Sequence, residues 1–175
     1  MPWYHYFLTF IDDYSRFSYV YLIFHHFEAL DCFKCFVTKV ENQKEMNLKV
    51  FRTNRGCKYL SKQFQGLYEE KGVCRQLTTP NTPQQNGVAE RRNHTLLEMV
   101  RSMMAYANLP ISFWGDALLT TTYILNRVPS KVVPTTSYKL WYGAKPNLEN
   151  LRHWGCASFV NSTSHKSLEQ VIKSL

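Results

Sequence analysis

A chain of 175 residues with 45% hydrophobic content, seven glycines and seven prolines is long enough for one domain with a real core, and this composition excludes a disordered or fibrous chain. Lysine and arginine number 21 against 13 acidic residues, a formal charge of +8 that points to a polyanionic partner. The longest apolar runs, such as Tyr19 to Phe24, fall far short of a membrane span, and no charged segment followed by an apolar one opens the chain, so neither a membrane nor a secretory route is expected.

Tyr6 to Asp12 is aromatic and β-branched, Asp13-Tyr14-Ser15-Arg16 has turn character, and Phe17 to Phe24 is again rich in strand formers. This pattern predicts a hairpin. From Glu28 to Gln43 the residues Leu30, Phe33, Val37 and Val40 recur at helical spacing with lysines between them. The five cysteines, Cys32, Cys35, Cys57, Cys74 and Cys156, are odd in number and lack a framework spacing, which suits a reducing compartment. Cys32 and Cys35 fall inside this helix, and His25 and His26 are adjacent at a strand end, so no zinc is expected there.

Leu48 to Arg52 reads as a short buried strand, Ser61 to Lys71 as a helix opened by a serine cap, and Val73 to Leu77 as another strand. Thr78 to Gly87, with two prolines and a closing glycine, reads as a loop. Two helices follow, over Val88 to Ala107 and Phe113 to Arg127, separated at Leu109-Pro110 because proline cannot continue the first. Beyond Pro129 the chain is turn-rich, with a last strand expected at Ala157 to Val160 and a polar tail from Asn161. The order is that of a mixed α/β fold.

The segment Thr82 to Asn93, TPQQNGVAERRN, places one carboxylate at the start of a basic amphipathic helix. Asn86 suits the N-cap, and at about 100° per residue Glu90, Asn93, His94 and Arg101 share a stripe. Leu96, Val100, Met103 and Ala107 fall on the adjoining stripe, predicted to be buried. On spacing alone a blander reading stands level with a phosphate-facing one, since Asn-Gly also makes hairpin turns and Glu-Arg-Arg is commonly a solvated face. Trp114 and Trp141 read as core residues, and Met99, Met103 and Met104 as helix packing.

Four ordered segments weigh on that choice. YFLTFIDDYSR at Tyr6 to Arg16, RQLTTP at Arg75 to Pro80 leading into TPQQNGVAERRN, FWGDA at Phe113 to Ala117, and LNRVP at Leu125 to Pro129 together resemble the catalytic core of copia-type (Ty1/copia) retrotransposon integrases over about residues 4 to 160. The resemblance implies an α/β, ribonuclease H-like mixed sheet with flanking helices. It divides the chain into a core at 1–128, an extension of it at 129–160 and an unassigned tail at 161–175. It also implies part of a Pol polyprotein that integrates DNA by polynucleotidyl strand transfer, working in the nucleus or a cytoplasmic virus-like particle. DNA is the implied partner, with self-association, and three acids would hold two Mg²⁺ or Mn²⁺ ions. Gln84, Gln85 and Asn86 would lie on the loop lining the site, and Arg91, Arg92, His94 and Arg101 would contact DNA phosphates.

The resemblance makes Glu90 the third acid and the one metal ligand to survive. The family leaves about thirty-five residues between its second and third acids, which puts the second at position 54, and Asn54 stands there. The family's RSDNGGEY reads here Arg52-Thr53-Asn54-Arg55-Gly56-Cys57-Lys58-Tyr59. An amide brings no charge to offset a dication, and Lys58 brings charge of the wrong sign. The first acid belongs to a strand that the family places before FLTFIDDYSR, so the sheet is expected to lack its first, central strand and to be poorly stable unless the second and fourth strands pair directly. Asp12 and Asp13 instead match a turn. The expectation is therefore a catalytically inactive integrase fragment that binds no metal productively. Two alternatives are a non-catalytic DNA-binding or oligomerising module, and an improvised metal site of Asp12, Asp13 and Glu90.

Overall fold

The computed structural model describes residues 4–53, 61–78, 86–149 and 151. Strands β1 (Tyr6–Ile11) and β2 (Ser18–Ile23) form the expected antiparallel hairpin, with Tyr6 opposite Ile23 and Ile11 opposite Ser18. Its turn is built from side chains. Asp12 Oδ2 accepts from the Ser15 backbone N–H at 2.7 Å and the Ser15 hydroxyl at 2.6 Å, while Ser15 Oγ accepts from the Phe17 N–H at 3.1 Å. Arg16 takes a left-handed conformation at φ 60° and pairs with Asp13 at 3.1 Å. Both aspartates thus serve the turn.

Helix α1 (Ala29–Lys44) follows a short 3₁₀ turn and buries Ala29, Phe33, Phe36, Val37 and Val40, the i, i+3, i+4 set of an amphipathic face. Cys32 is half-buried and Cys35 exposed within it. Burial, and then the neighbouring Cys35, Glu28 and Asp31, push the Cys32 thiol above its ordinary value. Strands β3 (Val50–Thr53) and β4 (Cys74–Leu77) pair in parallel, as two strands joined through a crossover helix must. That helix, α2 (Lys62–Lys71), starts on Ser61, whose Oγ accepts from the Phe64 N–H, and stops at Gly72, whose φ of 62° suits a residue without Cβ.

Among the described residues the strands form two separate two-stranded sheets, β1-β2 and β3-β4, with no ladder between β1 and β3. Direct pairing of these two strands, the second and fourth of the family pattern, does not occur. Aromatic packing joins the sheets instead. Phe33, 1% exposed, lies 5.9 Å from Phe10 of β1, 4.5 Å from Phe51 of β3, and 5.8 and 5.7 Å from Phe64 and Tyr68 of α2, all between ring centroids. Phe10 also stacks on Phe36 at 4.3 Å. An ion pair adds to this: Lys71 Nζ reaches Glu41 Oε2 at 3.0 Å, and Glu41 Oε1 accepts from the Leu48 N–H.

The chain divides into two compact units, one of Met1–Ile11 with Ser18–Asn93, the other of Asp12–Phe17 with His94–Leu175. The division falls inside helix α3 (Gly87–Tyr106). Helix α4 (Trp114–Arg127) ends two residues before Pro129. The second unit holds α4, a six-residue helix α5 (Ser137–Tyr142) and the hairpin turn. There the Arg127 guanidinium sits 3.4 Å from the Tyr123 ring centroid and 4.6 Å from that of Tyr138, and Phe17 stacks on Trp141 at 5.5 Å. Helix α5 was not expected from the sequence, although Thr136 caps it by accepting from the Lys139 N–H at 3.1 Å. The strand expected at Ala157 to Val160 and the tail lie outside the described residues. Among the described residues no helix is long and apolar enough to cross a membrane.

Truncating Phe33→Ala is expected to cost about 3 to 5 kcal/mol, read from the urea unfolding midpoint, because it empties the centre of the aromatic join. Acid sensitivity has a separate origin. Burial pushes the Glu41 carboxyl up, but the hydrogen bonds from Lys71 and Leu48 and the Lys71 charge outweigh it and hold the group below its ordinary 4.5. Such a group takes up its proton more readily in the unfolded chain, so its stabilisation is present above pH 4.5 and is lost as pH falls through the lowered folded value. Unfolding midpoints of Glu41→Gln should therefore change less with pH across that acid range than those of the parent.

Candidate functional site

Helix α3 opens at Gly87, directly after the half-buried Asn86. Gly87 is buried because the Arg91 side chain folds back over it: a Cβ there would lie 3.1 Å from Arg91 Nη1. That neighbour is the far end of a long, exposed side chain, which a small shift would clear. An acid in the first turn, Glu90, is favourable beside the positive end of the helix dipole.

The next four residues divide between outside and inside. Glu90 and Arg91 are exposed. Arg92 and Asn93 turn instead to the β1-β2 hairpin. Arg92 Nε donates to Ser18 Oγ at 2.8 Å, and the Thr9 hydroxyl donates to Asn93 Oδ1 at 2.8 Å. Ser18 is opposite Ile11 in the ladder, and Thr9 lies two residues before Ile11, so both hydroxyls stand on one face of the hairpin. Phe10, on the opposite face, stacks on α1. Burial lowers the Arg92 guanidinium to about 10, which leaves it protonated at neutral pH.

Farther along α3, in the second unit, Leu96, Val100, Met103 and Ala107 are all buried, as the helical period predicts. His94 and Arg101 are exposed, and Arg101 pairs with Glu98 at 2.6 Å. Asn54, Gln84 and Gln85 lie outside the described residues. Of the four cationic residues assigned to phosphate contacts, Arg91, His94 and Arg101 face solvent, while Arg92 is engaged with a buried serine. Thr9 and Ser18 were not singled out as partners of this segment, and Asn93, placed on the stripe with Glu90, turns to the hairpin instead. The only available signal was a hydroxyl at an inward register position on each strand.

A pair of hard dications asks for several anionic oxygens in octahedral geometry. Position 54 does not meet that demand. Glu90 is one carboxylate, position 54 offers a neutral amide, and Lys58 adds positive charge. Asp12 and Asp13 are committed to Ser15 and Arg16. Among the described residues, no three His, Cys, Asp or Glu side chains group in a way that could hold a metal ion.

The model of the family "Integrase core domain" matches residues 2–83. The chain is 39% identical over 159 residues to the retrovirus-related Pol polyprotein from transposon TNT 1-94 of Nicotiana tabacum, which covers 89% of this chain and 12% of that protein. It is 30% identical over 127 residues to the transposon Ty1-DR4 Gag-Pol polyprotein of Saccharomyces cerevisiae, covering 71% of this chain and 8% of that one. The chain thus spans about a tenth of the length of these relatives. Among solved structures it is similar to a chain of the simian T-cell lymphotropic virus intasome, with TM-score 0.65, 18% identity, and coverage of 90% of this chain and 54% of the other. It is also similar to the HTLV-2 integrase catalytic core domain in complex with magnesium in its trimeric form, with TM-score 0.57, 16% identity, and coverage of 75% and 80%. At those identities the structural matches establish the fold, ribonuclease H-like, and the Pol polyproteins supply the kinship. The chain belongs to the integrase cores of copia-type retrotransposon Pol polyproteins.

Proposed function

We propose that this chain is an integrase core that keeps a DNA-facing surface and has lost strand transfer. The observation that carries this reading is Asn54 where the family has its second acid, four residues before Lys58. In-line displacement at phosphorus through two metal ions requires carboxylates to gather the ions and to hold them on the attacking and leaving oxygens. An amide at that position brings no negative charge to hold an ion on either oxygen, so the attacking hydroxyl would not be activated. No step of a metal-dependent reaction is assigned to these residues.

DNA binding rests on other residues. Arg91 and Arg101 are exposed cations on α3, His94 is exposed on the same helix, and the chain carries a formal charge of +8. Phosphate contacts of this kind position a duplex without reading its sequence, and their strength falls steeply with salt. One similar protein is part of an intasome, and HTLV-2 integrase cores are described in dimeric and trimeric forms. Self-association of this chain on DNA, in the nucleus or in a cytoplasmic virus-like particle, accords with that kinship.

A nicking and strand-transfer assay with Mg²⁺ or Mn²⁺ separates the two halves of this reading. The chain itself is expected to yield no product while binding duplex DNA with a steep salt dependence. A version carrying Asn54→Asp and Lys58→Glu, preceded by the family's upstream strand with its first acid, is expected to recover joining. Product from the unaltered chain would overturn the loss of catalysis, and failure to bind DNA at low salt would overturn the retained surface.

A further inference from the structure

We propose that Thr9 and Ser18 are positioning residues for the DNA-facing start of α3, acting through Asn93 and Arg92, so that the four residues Glu90 to Asn93 split into two that present and two that hold. This rests on the reading of α3 as a DNA-binding helix. Two consecutive helical residues lie about 100° apart in azimuth, and here each meets a different strand of one hairpin. Asn93 accepts from Thr9 on β1 at 2.8 Å, and Arg92 donates to Ser18 on β2 at 2.8 Å. One bond would leave the helix free to roll about it. Two bonds to diagonal positions of a paired ladder fix both its roll and its height above the sheet.

Burial strengthens the assignment. Ser18 is 2% exposed, and a buried hydroxyl facing a half-buried guanidinium makes a hydrogen bond to a charged group, the stronger kind. Arg92 is thereby held away from the surface, while its neighbour Arg91 lies against Gly87 on the exposed side. The hairpin hydroxyls thus decide which of two adjacent arginines meets the phosphate. They touch no DNA themselves.

The test measures binding of the full chain to a duplex oligonucleotide by fluorescence anisotropy across a salt series, beside hydrogen exchange of the Arg91, Arg92 and Asn93 amides. Arg91→Ala should reduce the logarithmic salt slope by about 1, the signature of one lost phosphate contact. Thr9→Val and Ser18→Ala change no charge. Each should leave that slope intact, weaken binding about three- to tenfold, the effect of one hydrogen bond, and speed exchange at the three amides but not in α1. Thr9→Ser should restore both readings, and Thr9→Val with Asn93→Ala should be no worse than the poorer single variant, because both remove one bond. Should Thr9→Val fail to fold, Asn93→Ala breaks the same bond from the helix side with a better helix former and should show the same local exchange. Parent-like exchange in Thr9→Val, Ser18→Ala and Asn93→Ala would overturn the proposal, as would an unchanged salt slope in Arg91→Ala. If the parent binds no DNA, the proposed function fails, whereas faster exchange in the variants would still show that the hydroxyls position the helix.

Discussion

Packing around Phe33 holds together two pairs of strands that share no ladder. A continuous sheet is normally joined by directional hydrogen bonds, which fix register as well as proximity. Here Phe10, Phe36, Phe51, Phe64 and Tyr68 gather around one fully buried ring. Burying such a side chain contributes about 1.5 to 3 kcal/mol, and each ring pair adds about 0.5 to 1.5 kcal/mol beyond area. Ring packing of this kind draws surfaces together but tolerates sliding. Directional polar contacts accompany it: Lys71 of α2 pairs with Glu41 of α1, and Arg92 and Asn93 of α3 meet Ser18 and Thr9 of the hairpin.

Those contacts bear on function because they settle what the start of α3 shows to solvent. Glu90 and Arg91 face outward and Arg92 inward. Metal-assisted phosphoryl transfer is limited by negative charge at one point, whereas duplex binding draws on positive charge spread along a helix. Asn54 in place of an acid bears on the first and not on the second, which is the basis of the proposed loss of strand transfer.

Much of this was legible in the residues. The hairpin, α1, α2, β3, β4, α3 and α4 follow from periodicity and caps, and the buried stripe of α3 is the one its spacing predicts. Asp12 and Asp13 read as turn residues and act as such. What the pattern could not give was partnership. A helical wheel orders Arg91 and Arg92 in azimuth but does not say which neighbour either will meet, so both were placed with the phosphate contacts. Helix α5 escaped because six residues carry less than two turns of periodicity, and only its ends, Thr136 and Gly143, mark it. The meaning of Asn54 is invisible to composition and spacing alone, since it depends on knowing what the family carries at that position.

The proposed loss of strand transfer rests on the missing charge at position 54, and calorimetric titration of Mg²⁺ or Mn²⁺ into the purified chain addresses it most directly. No saturable two-ion binding is expected, and Glu90→Gln should leave the heats unchanged. Two ions taken up tightly per chain, with Glu90→Gln abolishing the uptake, would contradict it.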